Sequence, residues 1–101
     1  MNTVNLTAKD SILFINGELT RHSLALINKN NYSSCFKFTN VTVNLSEVSK
    51  VDTAGLAWLF CFLEQAIACS CEVNFIHLPE KLYKLIELSG VNGLLPITVS
   101  E

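Results

Sequence analysis

Two short runs of alternating apolar and polar residues, Val4 to Thr7 and Ile12 to Ile15, flank a polar Lys9-Asp10 turn near the start of the chain. Period-two patterning on both sides of such a turn predicts a β-hairpin, and Gly17 in "NGELT" is expected to break the second strand. Thr20 is then placed to cap a helix over Arg21 to Asn30, carried by Leu24, Ile27 and Leu26. "VTVNL", Val41 to Leu45, alternates with β-branched residues and reads as a strand. An apolar helix is expected from about Ala54 to Cys69, then a strand over "EVNFIHL". "PEKLYKLIELSG" follows as a second helix, opened by Pro79 and stopped by Gly90, with Leu82, Leu85, Ile86 and Ser89 on one face. The closing "LLPITVS" is read as a last short strand. Strands alternating with helices after a hairpin define an α/β fold with a mixed, mostly parallel sheet and packed helices.

Length and composition narrow what this fold can do. At 101 residues the chain makes one domain, residues 1–101, and half of it is hydrophobic against 16% charged, which is the composition of a folded module. Net charge is −2 and the seven Lys and Arg residues are scattered, so the clustered cations that nucleic acid requires are missing. No basic stretch precedes an apolar run at the start, so no secretory signal is expected. The apolar run from Ala54 ends at Leu63, well short of the roughly 20 residues that span a bilayer. Cys35, Cys61, Cys69 and Cys71 form no Cys-x-x-Cys pair, and both histidines are distant from them. Free buried thiols in a reducing cytoplasm are expected, with no metal and no cofactor.

The candidate chemistry lies at "VDTAGLAWL", Val51 to Leu59. A nucleophile needs a base in hydrogen-bond reach, and His22 and His77 are available to Thr53. Yet Asp-Thr-Ala-Gly is not the Gly-x-Ser-x-Gly elbow, and no phosphate-cradling Gly-x-x-x-x-Gly-Lys occurs. Catalysis is therefore not expected. Capping alone accounts for much of the motif, because Asp and Thr side chains satisfy free N–H groups at a helix start and Gly55 lets the first turn approach the sheet. Docking is the other reading. At 100° per residue Leu56, Leu59, Phe60, Leu63 and Ile67 share the face that covers a sheet. The opposite face then carries Ala54, Ala57, Trp58, Cys61, Phe62 and Gln65, with Trp58 and Phe62 side by side. An apolar patch of that kind marks a binding site, with Thr53 at its edge, and Trp58 and Phe62 are expected to be exposed.

"NGELT", "VTVNLSEVSKVDTAGLAWL" and "EVNFIHLPEKLYKLIELSGVNGLLPI" together resemble the STAS domain, shared by anti-sigma-factor antagonists and a bacterial lipid transporter. The likeness runs from about Ile12 to Ile97. Its most specific part is Leu-Ser-x-Val at the end of a strand, then Asp-(Ser/Thr)-x-Gly-Leu at a helix start. Antagonists usually carry Asp-Ser-Ser-Gly, whose first serine is phosphorylated by a partner kinase. Here Thr53 holds that position, Ala54 replaces the second serine, and Thr20 replaces the usual acidic residue after Gly-Glu-Leu. "VDTAGLAWL" looks more like the STAS subunit of the Mla phospholipid transport system.

That resemblance implies a STAS fold and a non-catalytic, cytoplasmic accessory subunit, peripheral to the inner membrane of Gram-negative bacteria. It would bind the ATPase of a phospholipid ABC transporter, and through it the permease, in support of outer-membrane lipid asymmetry. Thr53 would face the ATPase. Asp52, Ala54, Gly55, Trp58 and Phe62 join it as the expected partner-binding set. The alternative is an anti-sigma-factor antagonist with Thr53 as phosphoacceptor and an anti-sigma kinase as partner; a small enzyme using Thr53 and a histidine is the distant third.

Overall fold

The computed structural model describes residues 3–98. Strand β1 (Val4–Lys9) and strand β2 (Ile12–Leu19) form the expected antiparallel hairpin, paired from Val4↔Gly17 to Lys9↔Ile12. Strand β3 (Asn40–Val51) lies parallel to β2, and strand β4 (Glu72–Ile76) parallel to β3, in the order β1-β2-β3-β4. Helix α1 (Thr53–Ala68) connects β3 to β4, and helix α2 (Glu80–Leu88) follows β4. The fold class is as expected, a mixed and mostly parallel sheet with packed helices.

One face of the sheet makes the core. Leu13 and Ile15 of β2, Val43 and Leu45 of β3, and Phe75 of β4 are buried against Leu59 and Phe62 of α1 and Leu82 and Ile86 of α2. Pro79 caps α2, and Gly90, at φ +69°, ends it in the left-handed conformation that glycine adopts without strain.

Four expectations about elements are corrected. Gly17 does not break β2: its φ of +103° sits in an irregular stretch where the register against β3 shifts, and pairing resumes through Leu19. Strand β3 does not stop at Leu45 but runs on to Val51. Ser46 and Glu47 both face outward there, so the alternation is lost while Val48 and Val51 return to the core. Arg21 to Asn30 is not an α-helix. The chain makes three short 3₁₀ turns, Leu24–Leu26, Lys29–Asn31 and Ser33–Lys37. Side-chain bonds from Thr20, Ser23 and the Asn28–Asn31 capping box satisfy the backbone locally in place of a helical ladder. The final strand reduces to a single parallel bridge, Phe75↔Ile97, with Val99 and Ser100 outside the described residues.

The cysteines divide. Cys35 and Cys71 are buried, and burial, with the neighbouring thiol adding to it, pushes both thiols up. Cys61 and Cys69 are exposed, contrary to the expectation of four buried thiols, because they fall on the outward side of α1 and at its C-terminal end.

Candidate functional site

The end of β3 and the start of α1 meet the loop that leaves β2, and Asp52 joins all three. Its backbone is extended, and it forms the N-cap of α1. One carboxylate oxygen accepts the Gly55 N–H at 2.9 Å and the other accepts the Arg21 N–H at 3.0 Å. The carboxylate therefore caps the helix and pins residue 21 to it. Burial acts to raise the pKa of Asp52. The backbone N–H groups of Arg21, Gly55 and Ala54, helped by the Arg21 charge, outweigh it and hold the carboxyl below its usual range.

A lowered carboxyl has a definite consequence for acid stability. The native state favours ionised Asp52, so its contribution is present above the unfolded-state value of about 3.9 and is lost as pH falls through the lower native value. Asp52→Asn keeps a capping oxygen but removes the charge, and is expected to lower stability at neutral pH by about 0.3–1 kcal/mol, the scale of an anion at a helix N-terminus. The deficit against the parent should shrink as pH falls from 5 towards the acid limit, roughly through the carboxylate range. Urea unfolding at a series of pH values checks this.

Beneath the cap the loop is tied by buried hydroxyls. Ser23 is fully buried; its Oγ accepts the Thr20 N–H at 3.1 Å and donates to the Glu18 carbonyl. Thr20, also buried, accepts the His22 N–H through its Oγ1. Thr20 thus stabilises a turn and does not cap a helix. Sequence reasoning missed Ser23 altogether. A serine three residues after a threonine, directly past a strand, is the signal that local side-chain bonds replace a helix there.

Gly55 sits where α1 touches β2. A Cβ at this position would overlap the Leu19 carbonyl oxygen and stand 2.8 Å from the carbonyl carbon. Only glycine allows that approach, so Gly55 is buried packing between α1 and β2.

Thr53, at the first helical position, is exposed, and Ala54 is half-buried beside it. Thr53, Ala57, Cys61, Glu64 and Ala68 form one exposed stripe along α1, flanked by half-buried Trp58 on one side and Phe60 and Leu63 on the other. Glu64 is the single charge in the whole helix.

The expected exposed pair of Trp58 and Phe62 is corrected. Phe62 is 0% exposed and belongs to the core. Tyr32, between the second and third 3₁₀ turns, packs on Phe62 at 5.4 Å and edge-on to Trp58 at 5.6 Å, and Phe36 adds a contact to Phe62 at 5.2 Å. The Tyr32 hydroxyl donates to Gln65 Oε1 at 3.1 Å. Covered on that side, α1 buries Gly55, Leu56, Leu59, Phe62 and Ala66, which leaves Ile67 64% exposed. The buried face is turned by about a fifth of a revolution from the expected one, at 100° per residue. Trp58 keeps one edge in solvent.

A cavity of about 220 Å³ opens next to the cap, lined by Glu18, Thr20, His22, Lys50, Val51, Asp52 and Lys81. It is polar and of mixed charge. No hydrogen bond links Thr53 to His22 or His77, so no nucleophile–base pair is assembled at this junction among the described residues. Among those residues no three His, Cys, Asp or Glu side chains gather in a metal-binding group, and no helix is long and apolar enough to cross a membrane.

A mixed sheet with α1 and α2 on one face, and an Asp-Thr-x-Gly helix start at its edge, is the architecture of a STAS domain. The chain belongs to the family described as "Mlab, STAS domain", whose model it matches over residues 2–96. No curated protein matches it. Among solved structures it is similar to a putative anti-sigma factor antagonist from Thermotoga maritima, tm1081, at 16% identity and a TM-score of 0.71, covering 97% of this chain and 86% of that one. It is also similar to the anti-sigma factor antagonist SpoIIAA in its unphosphorylated form (16% identity, TM-score 0.69, 97% and 88% covered). The Bacillus cell fate determinant SpoIIAA in the phosphorylated form matches as well, at 16% identity and a TM-score of 0.65, with 97% and 91% covered. STAS domains bind partner proteins and are generally regulatory modules without catalysis of their own.

Proposed function

We propose that this chain is a non-catalytic accessory subunit that docks on the ATPase of an inner-membrane phospholipid ABC transporter through the outward face of α1. The observation that carries the reading is the exposed stripe Thr53–Ala57–Cys61, almost without charge and beginning at a helix start fixed by Asp52. Small side chains let another protein surface approach the helix backbone, the apolar flanks of Trp58 and Phe60 are dehydrated on contact, and Thr53 supplies a polar group at the rim. Membership of the Mlab family supports the transporter as the setting. On this reading Thr53, Ala54 and the free edge of Trp58 meet the ATPase. Asp52, Gly55 and Phe62 act from behind by holding the face in place. The subunit sits on the cytoplasmic side, peripheral to the inner membrane, and reaches the permease only through the ATPase.

A second reading has its own support. Thr53 is exposed and stands at the first turn of a helix, where a phosphate is electrostatically favoured, and the solved SpoIIAA structures include a phosphorylated form. In that case the partner is an anti-sigma kinase and Thr53 its phosphoacceptor. Co-purification of the tagged chain from its native cells separates the two. Recovery of a transporter ATPase with Thr53 unmodified supports the first, and recovery of a kinase that phosphorylates Thr53 with ATP supports the second.

A further inference from the structure

Among the described residues only one face of the sheet carries helices. On the other, the strand register aligns Thr7, Phe14, Asn44 and Ile76 in a row across all four strands. The next row runs from Lys9 through Ile12 and Thr42 to Asn74. Ile12 is 37% exposed, and Phe14 and Ile76 are half-buried, so three large apolar side chains lie on this open surface. In those two rows the only charge is Lys9, on the β1 edge, while the adjoining row, Asn5, Asn16 and Glu47, adds one negative charge on β3. Glu72 stands on the opposite edge, at the start of β4, one position along from Asn74 and on the same face.

We propose that this open face pairs with the same face of a second copy of the chain. Its polar groups, Thr and Asn, each donate and accept hydrogen bonds, so the surface is complementary to itself in a way that a field of one charge is not. Its two edge charges have opposite sign. A two-fold axis along the strands lays β1 of one copy over β4 of the other, and Lys9 of each copy then meets Glu72 of the other, twice over. The net charge of −2 per chain sets up little repulsion, and screening over about 8 Å at physiological salt reduces it further. Four strands about 4.8 Å apart give a face smaller than that of a stable complex. The dimer is therefore one that forms at high concentration and dissociates on dilution. Face-to-face pairing leaves both α1 helices on the outside, so it does not depend on what docks there.

Sedimentation of the full chain over roughly 10 µM to 1 mM tests the proposal. The average mass should rise from one chain towards two across this series. Thr42→Lys sets like charges against each other in the middle of the interface and should hold the protein monomeric. Lys9→Glu should weaken association by about tenfold, and adding Glu72→Lys to it should restore most of the loss, because the swapped pair is again complementary. The restoration arm stands even if Thr42→Lys fails to fold. A single-chain mass at every concentration would overturn the proposal. So would a dimer that ignores Thr42→Lys and Lys9→Glu, or one abolished by Ala57→Arg on α1 alone.

Discussion

Gly55→Ala is expected to remove most of the protein's stability, although the same change inside an ordinary helix stabilises it by about 1 kcal/mol. The difference lies in what the added methyl meets. At Gly55 it meets main chain, the carbonyl of Leu19, and Leu19 is fully buried at the end of β2. Leu19 is registered against Val51 of β3 and its carbonyl accepts the Asp52 N–H, so this main chain cannot yield as a flexible side chain can. Overpacking costs about 1–3 kcal/mol where neighbours give way and more where they do not, against about 5–15 kcal/mol for a whole domain. Thermal or urea unfolding should show a large drop, and the α1 cap should loosen with it, since Asp52 accepts the Gly55 N–H. A Gly55→Ala protein as stable as the parent would mean that α1 stands further from β2.

Phe62→Ala is the second large effect, at about 3–5 kcal/mol. Its ring lies at the centre of an aromatic cluster, with Tyr32, Phe36, Trp58 and Phe75 around it at centroid distances of 5.2 to 6.5 Å. Truncation leaves a cavity and unseats Tyr32, whose contacts fold the 3₁₀ segment over α1. Trp58→Ala removes a half-buried ring from the edge of the same cluster and should cost clearly less. Urea midpoints for the two variants should therefore separate widely, with Phe62→Ala the lower. Equal midpoints would contradict the burial assigned to Phe62.

These two residues also mark where sequence reading succeeds and where it runs out. Strand alternation in Val41 to Leu45, and the Pro79 and Gly90 boundaries of α2, are local signals, and the elements appear where those signals lie. The Asp52 cap and the close approach at Gly55 were legible for the same reason. The orientation of α1 was not. A helix with one charge in sixteen residues is apolar nearly all round, so its own periodicity says little about which side faces in. The choice is made by Tyr32 and Phe36, which arrive from a segment whose Asn-rich sequence gives no helical pattern. The extension of β3 was hidden for a related reason, because register shifts against β2 bring two adjacent residues, Ser46 and Glu47, to the surface.

If the outward face of α1 docks on a transporter ATPase, as proposed, the affinity of the chain for that ATPase depends on the side chains of this face. Titration can be followed by emission from Trp58, the only tryptophan in the chain, whose free edge borders that face. Ala57→Arg places a long charged side chain in the middle of the exposed stripe, and Thr53→Glu adds a charge beside Asp52 at its rim. Neither touches the core, so both variants should keep the parent's unfolding free energy within about 0.5 kcal/mol. Each should weaken ATPase binding by at least about tenfold, near 1.4 kcal/mol, and wild-type binding should blue-shift and protect Trp58. Binding of both variants with wild-type affinity, with Trp58 emission unmoved by the ATPase, would contradict the proposal.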